Sequence, residues 1–195
     1  PILVCGDRVI QGSDQIIEWA ENCSGSGRSL SPIDSPSLID IEHRLNEVLG
    51  VHVRRMYYSE ALIECPETIL PIFMEYLPAE EAQFVSDAWE VVTAAMVERM
   101  DLGMEQQQES RQIVMEHLDW LDSLLEGEGS YIVGDVFSRV DISAAALLAP
   151  LARPQEHPTY GGLQVPPRMA EDIADWQHRP VTKYVAEMYR LHRKE

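Results

Sequence analysis

The sequence predicts a mainly α protein, a helical bundle preceded by a short β-hairpin and one further helix. Three observations carry this. After residue 36, apolar residues recur at helical spacing through most of the chain. The opening PILVCGDRVIQGS sets two short apolar runs around Gly6-Asp7, the pattern of two strands and a tight turn. Between these regions, SGSGRSLSPIDSPS (residues 24–37) is rich in Ser, Gly and Pro and has no period.

The expected strands are Ile2–Val4 and Val9–Ile10. Ser13 then opens a helix with Ile16, Ile17 and Ala20 on one face and Glu18 and Glu21 on the other. The aperiodic stretch divides the chain into a segment 1–24, a linker 25–36 and a helical domain 37–195. Ser35-Pro36 is a helix start, an N-cap followed by proline at the first helical position. Leu38, Ile41, Leu45, Val48 and Leu49 continue in register, and the pattern runs on through Val53, Met56 and Tyr57 in spite of Gly50. Further helices are expected over about 66–77, from Ala79 to about Met100, and from about Gln106 to Leu125. Residues 153–168 hold four prolines and two glycines, too many for a regular element. After Pro180 a last helix lines up Val181, Tyr184, Val185, Met188 and Tyr189. Arg190, His192, Arg193 and Lys194 close it, where cations suit the helix dipole.

The best-defined helix starts at Ser138. Its side chain and that of Asp141, three residues on, can each accept the other's backbone N–H, a capping box. Phe137 and Ile142 are spaced for a hydrophobic staple. From Val140 to Ala149 only Ser143 is polar, which predicts a helix buried on every side and ended by Pro150. Such a helix cannot lean on water for its first N–H groups, so Ser138 and Asp141 are a structural cap and not a reactive pair.

Composition narrows the function. A net charge of −18 argues against nucleic acid, whose phosphates require clustered cations, and against an anionic membrane. No apolar run approaches the roughly 20 residues of a membrane span. Cys5, Cys23 and Cys65 form no paired spacing, which suits a reducing, cytoplasmic setting. The six histidines show no HExxH or ExxH pattern, so no metal is expected. On the helix through residue 50, Arg54 and Tyr58 are expected to share one face and Tyr57 to project onto another.

YIVGDVFSRVDISAAALLAPL (131–151) resembles the core helix of the all-helical domain in cytosolic glutathione transferases, where a Gly-Asp and then Ser-x-x-Asp open a buried helix. PILVCGDRVIQGSDQIIEWAE resembles the second half of that family's thioredoxin-like domain. GVHVRRMYY (50–58) and PVTKYVAEMYRLHR resemble the corresponding helices. The resemblance implies the C-terminal part of a thioredoxin-like domain, hairpin and helix, followed by a glutathione-transferase-like helical bundle. It further implies glutathione as co-substrate, a small apolar electrophile, and a homodimer.

Carried over by position, the resemblance places glutathione at Pro1, Ile2, Ser13 and Asp14. Pro1 would be the proline beside the cysteinyl part of glutathione, and Ser13 would contact the γ-glutamyl carboxylate. A hydroxyl with free N–H groups at a helix start is also an anion site on physical grounds, and a plain N-cap is the alternative reading. The family's acid or amide before that serine is replaced by Gly12, with Asp14 as a substitute. Arg54, Tyr57 and Tyr58 would line the electrophile pocket. The family's catalytic Tyr, Ser or Cys lies in its first strand–helix unit, so the expectation is no catalytic residue in this chain and a donor upstream of Pro1. The competing reading is a non-catalytic module of the same fold, used for protein association or for binding apolar ligands.

Overall fold

The computed structural model describes residues 1–25, 29–31, 36–160 and 163–193. Strands β1 (Ile2–Cys5) and β2 (Arg8–Gln11) pair antiparallel, with Leu3 opposite Ile10 and Val4 opposite Val9. Alternation puts Leu3 and Ile10 on one face, and Ile10 is buried there. Ile2, Val4 and Val9 stand on the other face, about 65% exposed. Helix α1 (Ser13–Ser24) packs against β2; Ile16 and Ile17 are half-buried, but Ala20 is exposed.

The first bundle element is a continuous helical rod. It comprises α2 (Pro36–Arg44), a π-helical turn (Leu45–Leu49) and α3 (Gly50–Glu64). The expected cap at Ser35 lies outside the described residues. Leu45, Leu49, Val53 and Met56 are all buried along the rod. The wide turn keeps residues spaced by four on the bundle side where a regular helix would drift. Gly50 is tolerated for a packing reason: a Cβ there would stand 2.6 Å from a methyl carbon of Leu147.

Helix α4 (Pro66–Met74) is shorter than expected. The single helix expected over Ala79–Met100 is two, α5 (Ala79–Asp87) and α6 (Trp89–Arg99), broken at Ala88. The break seats Trp89 on Phe73 of α4, ring centroids 5.2 Å apart. Helix α7 (Met104–Leu125) lies along α3 and buries Val114, Leu118 and Leu121. Helix α8 (Arg139–Ala152) crosses the core, and α10 (Pro180–His192) packs on it through Val181, Val185 and Met188.

Three further sequence expectations are corrected by the fold. Pro150 does not end α8, which continues to Ala152 and stops at Arg153, in the left-handed region at φ 47. In the last turn a proline removes one hydrogen bond and leaves the final two residues helical. Burial of α8 is also incomplete: Ala146 is exposed, and Ile142, Leu147 and Pro150 are half-buried at the rims of clefts. Finally, the 153–168 stretch is irregular only to Pro166. Helix α9 (Pro167–Trp176) starts inside it, with proline at the first helical position.

Buried or partly buried carboxylates satisfy the starts of α8, α9 and α10. Asp141 is fully buried and accepts four hydrogen bonds. Its Oδ2 takes the Ser138 N–H (2.7 Å) and hydroxyl (2.9 Å), and its Oδ1 the Ile132 N–H (3.0 Å) and the Tyr184 hydroxyl (2.6 Å). Burial, then the hydrogen bond to Asp141, pushes the Tyr184 hydroxyl pKa up and holds it as a donor. Glu60 of α3, also fully buried, accepts the Arg168 and Met169 N–H groups at the start of α9 (2.8 and 3.0 Å). Asp122 of α7 accepts the Val181 N–H of α10 (2.8 Å). Residues 29–31 tie α1 to the bundle. The Leu30 N–H donates to Glu21 of α1, and the Leu30 carbonyl accepts the Arg139 N–H of α8 (2.8 Å).

Candidate functional site

Two regions gather the residues singled out from the sequence. The first is the start of α1. Its N-cap is Gly12 rather than Ser13, and Ser13 is the first helical residue. Gly12 sits at φ 101, a conformation that favours glycine, and so supplies no side-chain cap. Among the described residues no side chain caps the leading N–H groups of α1, the condition for binding an anion. Gly12 donates its N–H to the Pro1 carbonyl (3.1 Å), which brings the start of β1 beside the start of α1. Asp14 folds back over Gly12: a Cβ at position 12 would stand 2.7 Å from its Oδ1. Pro1, Ile2, Ser13 and Asp14 line this corner; Pro1, Ile2 and Asp14 are exposed and Ser13 is at the surface beside them.

The second region is a cavity of about 190 Å³ between α3 and α8. Arg54, Tyr57 and Tyr58 line it from α3, Leu147 and Pro150 from α8, and Tyr160 from the segment after α8. The expectation that Tyr57 faces away from Arg54 and Tyr58 is corrected. Positions 50, 53, 54, 57 and 58 form one stripe, because residues three and four apart are neighbours on a helix. Tyr57 and Tyr58 meet edge to face, centroids 6.2 Å apart at 81°. Burial pushes the Tyr57 pKa up to about 12, against the opposing pull of Arg153, and also raises Tyr58 and Tyr160. All three hydroxyls are therefore protonated donors near neutrality. Among the described residues, the Tyr57 hydroxyl and Arg153 Nη1 are buried without a hydrogen-bond partner.

Sequence reasoning missed Tyr160. It is set in place by His157, whose Nδ1 accepts the Thr159 and Tyr160 N–H groups (3.1 and 3.2 Å) and whose ring lies 4.2 Å from that of Tyr160. The only local signal is a histidine with a tyrosine three residues on, in a proline-rich run. Ser138 and Asp141 lie in the cap described above, with no free reactive group. Cys65 has its thiol pKa raised by burial, then by Glu67, which disfavours the thiolate. Among the described residues no group of three or more His, Cys, Asp or Glu side chains is placed to hold a metal ion. No helix there is long and apolar enough to cross a membrane.

Residues 104–184 match the family described as Glutathione S-transferase, C-terminal domain. Among solved structures, the chain resembles the β-etherase LigF from Sphingobium sp. strain SYK-6. The TM-score is 0.54 at 20% identity, covering 96% of this chain and 77% of that chain. No curated protein matches significantly. The hairpin followed by the helical bundle is thus an arrangement shared with that structure, and the family match is confined to the bundle. The matched residues run from the start of α7 into α10.

Proposed function

We propose that the protein is a glutathione transferase, conjugating or reducing small apolar electrophiles with glutathione as a cytoplasmic homodimer. One observation carries the glutathione site: an uncapped helix start lies against the start of β1, with a carboxylate folded over the intervening glycine. The γ-glutamyl carboxylate of glutathione lies on the α1 N–H groups and the Ser13 hydroxyl. Asp14 meets its amino group, in place of the acid that Gly12 replaces. Pro1 and Ile2 flank the cysteinyl part. The cavity at Arg54, Tyr57 and Tyr58 receives the electrophile. Tyr57 does not activate the thiol, since a hydroxyl with a pKa near 12 is a poor partner for a thiolate and is sealed from solvent. In the family that the chain resembles, the thiol-activating donor lies in the first strand–helix unit.

Titration calorimetry with glutathione tests this. Ser13→Ala and Asp14→Asn should each weaken binding by about tenfold, the scale of one charge-assisted hydrogen bond. Neither side chain is buried, so the fold should be unaffected. No binding by the unaltered protein at millimolar glutathione would refute the reading. A second reading, a non-catalytic module for protein association or apolar ligands, is favoured by Gly12, which denies the site its usual acid. Absence of glutathione binding together with a stable hetero-complex would support it.

A further inference from the structure

We propose that the cavity between α3 and α8 takes a single aromatic ring bearing an acidic group, the ring held by Tyr57, Tyr58 and Tyr160 and the acid by Arg54. The inference rests on reading this cavity as the substrate pocket, and it names the class of substrate.

Size comes first. At about 190 Å³ the cavity falls below the roughly 300 Å³ at which drug-sized ligands begin, which leaves room for one ring and a short substituent. Its walls favour an aromatic ring. Tyr57, Tyr58 and Tyr160 line it, and Val53, Ile72 and Leu147 supply apolar wall.

Charge then selects among aromatic ligands. The chain carries −18, and six of its thirteen arginines, Arg55, Arg111, Arg139, Arg168, Arg179 and Arg190, each hold a carboxylate. Arg54 is not one of these. It is exposed at the cavity, and among the described residues it makes no ion pair and no hydrogen bond. A cationic ligand, which three tyrosines would otherwise suit, meets repulsion from that guanidinium. A neutral ring leaves it unused. A carboxylate or sulfonate matches its planar fork, and the tyrosine hydroxyls add neutral donors without opposing charge.

The test uses three probes of one size: benzoate, benzamide and benzylammonium. Their binding is measured by ligand-observed NMR and calorimetry on the unaltered protein and on Arg54→Gln, Tyr160→Ala and Ser13→Ala. Benzoate should bind about tenfold more tightly than benzamide, with benzylammonium weakest. Arg54→Gln should abolish the preference for benzoate while leaving benzamide and glutathione binding unchanged. Tyr160→Ala should weaken benzoate and benzamide together. Equal affinity for benzoate and benzamide, or a benzoate affinity unmoved by Arg54→Gln, would overturn the proposal. Glutathione titrated into the same samples separates the two readings. Glutathione binding without benzoate binding sinks only this inference. Arg54-dependent benzoate binding without glutathione binding upholds it and sinks the transferase reading.

Discussion

Tyr57 shows how one side chain can cost stability and serve a site. Its side chain is 4% exposed and lines the cavity, yet its hydroxyl is buried with no partner among the described residues. Such a group contributes a desolvation penalty that nothing offsets. Tyr57→Phe should therefore leave stability unchanged or raise it by up to about 1 kcal/mol, measured by urea unfolding, where most core changes are destabilising. His157 governs the same cavity through its protonation state. Its Nδ1 accepts two backbone N–H groups, so the ring must be neutral at that nitrogen. Burial and then Arg193 lower its pKa, against the raising pull of Glu75. A histidine with a folded pKa below its unfolded one contributes stability that is complete above about 6.5 and lost as pH falls through the folded value. On acidification from about pH 7 to about pH 5, hydrogen-exchange protection of the Thr159 and Tyr160 amides should fall. His157→Ala should remove that pH dependence.

The helices depend on one another at their ends. Proline or arginine occupies the cap position before α9 and α10, residues with no side-chain oxygen to cap a helix start. Glu60 and Asp122 supply the missing acceptors from α3 and α7. Asp141 does so within α8 and also joins it to α10 through Tyr184. The consequences differ in size. Ser138→Ala removes a hydroxyl and should cost about 1 kcal/mol. Asp141→Ala or Glu60→Ala strands two or more buried donors and should cost about 3 kcal/mol or more. Chemical denaturation of the three variants checks the ranking, and equal losses for Ser138→Ala and Asp141→Ala would contradict it. The same network positions the cavity, since α3, α8 and the start of α9 are all held by it.

The bundle as a whole carries its excess negative charge on the surface. At low ionic strength that excess repels itself and opposes compaction. Salt screens it, and also weakens exposed pairs such as Arg190–Glu187, but those pairs are worth little individually. The melting temperature should therefore rise between about 0.01 M and about 0.15 M salt, read by differential scanning calorimetry. A fall would mean that the ion pairs outweigh the net charge.

By itself the sequence determined what depends on local order: the hairpin with its turn at Gly6-Asp7, the helical periods, and the Ser138–Asp141 cap. It also located Arg54, Tyr57 and Tyr58 on one helix. Each of these is fixed by residues a few positions apart, where turn chemistry and periodicity act directly. The tertiary structure decided the rest. It set Gly12 as the N-cap of α1 and folded Asp14 over it, split the 79–100 segment so that Trp89 could pack, and carried α8 past Pro150. It brought Tyr160 to the cavity from more than a hundred residues away in sequence. It also assigned Glu60 to the start of α9, across a similar separation. Such pairings arise from burial and hydrogen-bond satisfaction across the fold, and no local pattern encodes them.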